Sequence, residues 1–153
     1  MAEQYAGRTI DIVAWNTLTA TGGMFDAQST GQVVTGILKL AQRFLITFLH
    51  EPGSVKYNYW NRETPVGTTF MSQLRQGVAR TNAAVSALFQ LSEIAARQQL
   101  QAEETDDDPD DERYKKATLG DMTIDGDYLM LKVTIYSLAD EVTLIVPIPS
   151  VPR

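Results

Sequence analysis

The chain has few side chains that could carry acid–base or nucleophilic chemistry. Its 153 residues contain no cysteine and a single histidine, His50. The lack of cysteine excludes disulfides, thiolate nucleophiles and cysteine-ligated zinc or iron–sulfur clusters. His50 ends a predicted helix, where the helix dipole favours an imidazolium, and no motif places a serine or an acid beside it. The sequence also lacks a P-loop and a G-x-G-x-x-G fingerprint, so we expect no cofactor.

Two glutamates raise the possibility of glycoside hydrolysis, which needs two carboxyl groups roughly 5 to 10 Å apart. Glu51 and Glu63 bracket a loop rich in aromatic residues, and aromatic rings stack on sugars. No spacing argument brings the two carboxylates together, and each lies beside a turn residue, where exposed acids are common. A glycan-cleaving, lysozyme-like enzyme is therefore the alternative function, and the expectation is a protein without catalytic activity.

The acidity of the chain comes from one segment. Residues 103–112 contain eight of the 19 acids, and the other 11 acids face 13 bases, so the rest of the chain has a formal charge of +2. Alternate acids in this segment match the start of a calcium loop: Asp106, Asp108 and Asp110. The match then fails, because Asp111 replaces the required Gly and Ala117 the required Glu. We expect a solvated acidic linker and no resident metal.

Three amphipathic helices are predicted to precede this linker. Residues 8–15 are a strand or an extended arm, and we assign residues 1–29 to an N-terminal arm. The first helix is predicted from Ser29 or Thr30 to Leu49, where Pro52 and Gly53 end it. The second begins near Thr68 or Thr69, with Phe70, Met71 and Leu74 facing inward, and is interrupted at Gly77. The third covers about 79–102, with these inward positions: Ala84, Val85, Leu88, Leu91, Ile94, Ala95 and Leu100.

After the linker the hydrophobic period changes from 3.6 to 2, which indicates strands. A first strand ends at Asp125-Gly126-Asp127, a hairpin signal, and Leu138-Ala139-Asp140 forms a second turn. The prediction is an α+β domain over 30–153, with amphipathic helices packed on a C-terminal three-stranded antiparallel meander. Prolines 147, 149 and 152 are expected to interrupt strand pairing at its end.

Two surfaces are candidates for binding partners. Strand addition to the meander is expected along 128–136 and 141–148, through Leu129, Leu131, Val133, Ile135, Val142, Leu144 and Val146. The loop of residues 53–68 offers Tyr57, Tyr59 and Trp60, the residue types enriched at interface centres, beside Arg62. Core packing of the same aromatics in a satellite cluster is an equally good explanation. Basic residues are dispersed and no apolar stretch reaches about 20 residues, so we expect a soluble protein that binds neither nucleic acid nor membrane.

The order of these segments resembles the baseplate sheath-initiator family of contractile-tailed bacteriophages, also called the tail-lysozyme-like baseplate wedge family. The resemblance covers about residues 30–148. Its parts are an apolar helix from Val33 to Leu49 followed by a short turn with Gly53, then Gly67-Thr68-Thr69-Phe70-Met71 opening the next helix, a long helix, a polar linker and the meander. Asp111-Glu112-Arg113 is the nearest counterpart of the family's Glu-Pro-Arg and lacks its proline. Thr69 stands where the family commonly has Asp.

The resemblance implies a structural protein of the virion, located in the tail baseplate and assembled in the host cytoplasm. Its partners would be the tail sheath and the wedge, hub and tube proteins. Several copies, with six as the expected number, would form a ring around the tube and present the sheet on which the first sheath ring starts. Glu112, Arg113 and the aromatic loop would contact the wedge or hub.

Overall fold

The computed structural model describes residues 11–12, 33–52, 67–77 and 79–149. In chain order the elements are β1 (Asp11–Ile12), β2 (Val33–Val34), α1 (Gly36–Leu49), α2 (Phe70–Arg75), α3 (Asn82–Glu103), a 3₁₀ turn (Asp110–Glu112), β3 (Tyr114–Asp125), β4 (Tyr128–Ser137) and β5 (Glu141–Pro149). This confirms the predicted α+β class with a C-terminal three-stranded antiparallel sheet. Within the described residues, none of the helices has the length and apolar character to cross a membrane.

The chain divides into two compact units, with the boundary inside α1. The first, here called the sheet unit, contains Met1–Gln42 and Glu104–Arg153; the second, the helical unit, contains Arg43–Glu103. The sequence predicts one domain over 30–153 and gives no sign of a boundary in the middle of an unbroken apolar helix. Apart from 11–12, the predicted N-terminal arm lies outside the described residues.

The first helix begins later than the sequence predicts. Val33 and Val34 pair antiparallel with Ile12 and Asp11, so they belong to β2 and not to a helix that begins at Ser29 or Thr30. Valine is stiff at χ1 and packs well in strands, which favours this pairing over a helical turn. Gly36, with a φ of 65°, then turns the chain into α1.

The meander of the sheet unit follows the predicted alternation closely. Residues Gly126 and Asp127 join β3 to β4, and the φ of 58° at Gly126 suits the tight hairpin. β4 lies between β3 and β5 and pairs with both. One face of the sheet is buried through alternating side chains: Leu131, Val133, Ile135, Leu144, Val146 and Ile148. The period of 2 therefore identifies both the strands and their buried face.

The prolines at the end of the sheet do not interrupt its pairing, contrary to the prediction. β5 continues to Pro149, with Pro147 opposite Met130 and Pro149 opposite Tyr128. A proline is compatible with an edge strand when the missing N–H would have pointed away from the neighbouring strand. Pro152 lies outside the described residues.

The helical unit is built around a cluster of four phenylalanines. The Phe48 ring lies 5.2 Å from Phe44, 4.7 Å from Phe70 and 4.9 Å from Phe89, measured between centroids. All four are at most 2% exposed, so this cluster is the core that the helices share. α2 begins where predicted, because Thr69 precedes it and Phe70 anchors it. Gly77, with a φ of 70°, follows its end.

The buried face of α3 is rotated from the predicted one. Leu91 is 68% exposed and Ile94 is 47% exposed, although both were expected to face inward. The buried residues keep a regular helical period and include small and polar side chains: Val85, Leu88, Phe89, Ser92, Glu93, Ala96 and Leu100. Val85, Leu88 and Leu100 are buried as predicted, but large apolar residues lie on both sides of α3, so hydrophobicity alone also selected Leu91 and Ile94.

Candidate assembly interface

The predicted strand-addition residues fall on two strands with different availability. β4 is paired with a strand on both edges, so it has no free edge for a further strand, and a partner contact through its residues stays a prediction. The side chains concerned are Leu129, Leu131, Val133 and Ile135, of which the last three are buried. β5 is an edge strand, and no described strand pairs with its outer edge. Its predicted residues Val142, Leu144 and Val146 therefore lie beside an available edge.

The direction of the backbone groups along β5 follows from its hairpin with β4. Ser137 N–H donates to the Asp140 carbonyl at 2.8 Å. Because hydrogen-bonded and non-bonded pairs alternate along an antiparallel ladder, every second β5 residue from Glu141 directs its N–H and C=O away from β4. Pro147 and Pro149 belong to this outward set, which explains why they are tolerated.

The open edge of β5 is therefore short. Its N–H groups could come only from Glu141, Thr143 and Ile145, since the next two outward residues are prolines. Glu141 N–H already donates to the Asp140 carboxylate at 2.9 Å. Thr143 and Ile145 thus supply the two N–H groups without a hydrogen-bond partner among the described residues. Outward carbonyls continue along the whole strand, so the edge accepts hydrogen bonds over a longer stretch than it donates them.

The other edge of the sheet is less regular. β3 pairs with β4 through two register shifts, one between Tyr114 and Lys116 and one between Leu119 and Met122. Such bulges twist an edge and make it a poorer template for a further strand. β5, in contrast, pairs without a shift from Glu141 to Pro149. The first half of β5 is therefore the better strand-accepting edge.

The exposed face next to this edge is polar and partly basic. The hydroxyls of Thr134 and Thr143 lie 2.9 Å apart across the two strands. Lys132 is exposed opposite Ile145, which is 43% accessible. This face can supply hydrogen bonds and one apolar contact to an added strand.

Glu112, predicted to contact a wedge or hub partner, is buried inside the sheet unit. It is 3% exposed, and its carboxylate accepts hydrogen bonds from Gly36 N–H and the Thr35 hydroxyl, each at 3.0 Å. Lys39 Nζ lies 3.5 Å from the other carboxylate oxygen. The first N–H groups of a helix lack intrahelical partners, and the helix dipole favours an anion there. The geometry therefore assigns Glu112 to the N-terminus of α1, and a direct partner contact would require this site to open.

Arg113 remains available in part. Its side chain is 31% exposed, and its Nη2 lies 3.7 Å from the Asp106 carboxylate. Its Nε is buried and has no hydrogen-bond partner. Its carbonyl accepts a hydrogen bond from Leu138 N–H, which attaches it to the β4–β5 hairpin. Arg113 as a partner contact stays a prediction.

The acidic run is not a uniformly solvated linker. Helix α3 continues to Glu103, which lies 3.5 Å from Arg43, and Glu104 accepts a hydrogen bond from Tyr114 N–H. With Glu112 buried, only the middle of the run matches the prediction, as Asp106 and Asp107 are exposed. Over the described ranges, no group of three or more His, Asp or Glu side chains could hold a metal ion.

The Gly67-Thr68 segment joins the end of α1 to the start of α2. Thr68 N–H donates to the His50 carbonyl at 2.8 Å, and the Thr68 hydroxyl donates to the Phe48 carbonyl at 2.6 Å. Gly67 N–H donates to the Gln99 side-chain oxygen, and its carbonyl accepts from the Gln99 amide, both at 2.7 Å. The two bonds from Thr68 satisfy the Phe48 and His50 carbonyls at the end of α1, where carbonyls have no partner within the helix. The segment that carried the resemblance thus has a structural role in this chain.

The other candidate chemical residues are not assembled into a site. Glu51 pairs with Arg75 at 2.8 Å, in partly exposed surroundings. Glu63 and the loop residues Tyr57, Tyr59, Trp60 and Arg62 lie outside the described residues. A catalytic pair of Glu51 and Glu63, and a partner contact through the aromatic loop, therefore both stay untested.

Comparisons with known proteins give no further assignment. No protein-family model matches the chain, and neither the curated proteins nor the solved structures gave a match. The resemblance to the sheath-initiator family therefore stays a prediction from the sequence.

Sequence reasoning missed two residues that organise these sites. Gln99 was not singled out because a glutamine on a helix surface has no distinctive pattern. Glu112 was predicted as part of the acidic run and, through the resemblance, as a partner contact; its internal role was hidden because Gly36 and Thr35 lie 76 and 77 residues away along the chain. A single acid at the end of an acidic run and next to a strand was the only local signal.

Proposed function

We propose that the chain is a structural protein of a contractile phage-tail baseplate, and that its sheet accepts a strand from a sheath subunit. The observation that carries the proposal is the outer edge of β5, with which no strand among the described residues pairs, while its inner edge pairs with β4 in regular register. Added strands obtain affinity from main-chain hydrogen bonds and obtain register from the pattern of those bonds.

The proposal places strand addition at residues 141–145, because Pro147 and Pro149 lack the N–H groups that a longer pairing would need. Two N–H groups, of Thr143 and Ile145, would donate to the incoming strand, and the outward carbonyls would accept from it. Each such hydrogen bond contributes about 1 kcal/mol net. A contact of this size is weak in isolation, which suits a protein that works in a ring, where neighbouring copies act together.

The sequence supports the same function through the order of its elements. The elements follow one another in the order that the resemblance implies: helix α1, the Gly67-Thr68 segment, the long helix α3 and the C-terminal meander. Wedge, hub and tube proteins are the further partners that the proposal includes. Their contacts are proposed for Arg113 and for the loop that contains Trp60.

Replacing Ile145 by proline tests the proposal. The N–H of Ile145 points away from β4, so its loss should remove a hydrogen bond to an added strand without disturbing the pairing with β4. The Ile145→Pro variant should keep its free energy of unfolding within about 1 kcal/mol, yet lose strand addition. Introduced into the phage that encodes the chain, it should give tails whose tubes lack sheath in electron micrographs. Ile145→Val is the matched control and should assemble normally. Sheathed tails from a stable Ile145→Pro variant would contradict the proposal.

A further inference from the structure

The outer side of α3 carries a second row of side chains, separate from the buried face. Its members recur at intervals of three and four residues, which is the spacing of a coiled-coil seam. Ala84 is half-buried and the others are exposed, with Leu91 and Ile94 at the centre. We call this row the α3 seam; it consists of Ala84, Ala87, Leu91, Ile94, Gln98 and Gln101.

The side of α3 that carries the seam is almost free of charge. Every exposed position from Asn82 to Ala102 is Asn, Ala, Gln, Leu or Ile. The two charged residues in this stretch, Glu93 and Arg97, pair with each other at 2.6 Å; the Glu93 side chain is buried, and the Arg97 side chain, next to Gln98 in the sequence, is 40% exposed. Depletion of charge distinguishes the centre of protein interfaces from ordinary surface. The α3 seam therefore fits an uncharged helix and offers little to an acidic or basic partner.

We infer that the α3 seam is a self-association surface, on which α3 of a second copy packs antiparallel. A two-fold axis midway between Leu91 and Ile94 brings the leucine of each copy opposite the isoleucine of the other. The same axis sets a small residue opposite a long one at both ends: Ala87 with Gln98 and Ala84 with Gln101. A two-fold interface requires this self-complementarity, and the alanines leave room for the glutamine stems.

A parallel arrangement fits the same residues less well. It would place Ala against Ala and Gln against Gln, which leaves gaps at one end and crowds amide groups at the other. The seam is one stripe on a helix about 33 Å long, so it is narrower than a standard interface of roughly 800 Å² per partner. We therefore expect a weak dimer that dissociates on dilution. This inference does not depend on the proposed phage function.

Because the chain has no cysteine, single introduced cysteines can report which residues meet. Mixing Ala87→Cys with Gln98→Cys protein under oxidation should give a disulfide-linked heterodimer in clear excess over the links within each variant alone. Thr118→Cys mixed with Thr123→Cys, both exposed on β3, is the control and should give only background. Links of Ala87→Cys with itself and of Gln98→Cys with itself, without the mixed product, would overturn the antiparallel arrangement.

Sedimentation equilibrium of the full chain, from about 10 μM to about 1 mM, tests the surface itself. Ile94→Glu should raise the dimer dissociation constant about tenfold or more, because two carboxylates would then meet near the axis. Ile124→Glu changes an isoleucine that is 81% exposed on β3 and should leave the constant unchanged. Helical circular dichroism confirms that both variants fold. A wild-type chain that is monomeric throughout, or an Ile94→Glu variant that dimerises normally, would overturn the inference.

Discussion

The two ends of α1 are closed in different ways. At its N-terminus, in the sheet unit, a buried carboxylate from Glu112 receives Gly36 N–H and faces the charge of Lys39. At its C-terminus, in the helical unit, neutral groups of Thr68 donate to the carbonyls of Phe48 and His50. The first end depends on a charge taken out of water, and the second depends on backbone geometry and a glycine. The two ends should therefore respond differently to substitution.

The largest effect is expected at the charged end. Glu112→Ala leaves Gly36 N–H and a largely buried Lys39 without this carboxylate and should lower the free energy of unfolding by about 4 kcal/mol. Chemical denaturation measures the change. The exposed neighbour substitution Asp110→Ala should cost less than about 1 kcal/mol. Equal losses in the two variants would show that Glu112 does not close the helix.

A slightly smaller effect is expected at Gly67. Its φ is 118°, and a Cβ there would lie 2.3 Å from the His50 carbonyl oxygen, so Gly67→Ala should cost about 3 kcal/mol. Gly126→Ala is the matched control, since its φ of 58° is also positive but no atom lies within 4 Å of the added Cβ. The control should lose about 1 kcal/mol, and the difference measures the close approach. Thermal and chemical unfolding measure both losses. Equal losses in Gly67→Ala and Gly126→Ala would contradict the close approach of Gly67 to the His50 carbonyl.

The smallest effect concerns the hydroxyl of Thr68. Thr68→Val keeps the shape of the side chain but removes its hydrogen bond to the Phe48 carbonyl, which should cost about 1.5 kcal/mol. Thr118→Val, at an exposed position of β3, makes the same chemical change away from the helices and should change stability by less than about 0.5 kcal/mol. If the two variants were equally stable, the C-terminus of α1 would not depend on Thr68.

The sequence predicted the features that depend on neighbouring residues and missed those that depend on residues far apart in the chain. The meander was predictable because a period of 2, a Gly126 hairpin and alternating burial are all local properties. The end of α1 was predictable from Pro52 and Gly53. The beginning of α1 was not predictable, because Glu112, which accepts the hydrogen bond of Gly36 N–H, lies 76 residues further along the chain. The face of α3 was predicted only in part: Val85, Leu88 and Leu100 are buried, but Leu91 and Ile94 are apolar yet exposed.

The candidate interface was predicted in part. The sequence identified β5 but also assigned strand addition to β4, because alternation does not reveal the order of strands in a sheet. The role of Pro147 and Pro149 likewise required the register with β4, which fixes the direction of each backbone group.

The most direct test of the proposed function is a density map of an assembled contractile tail that contains this chain. The account predicts an added strand from a sheath subunit along Glu141–Ile145, ending before Pro147. A map in which the outer edge of β5 is bare, or in which the sheath contacts another part of the chain, would contradict it.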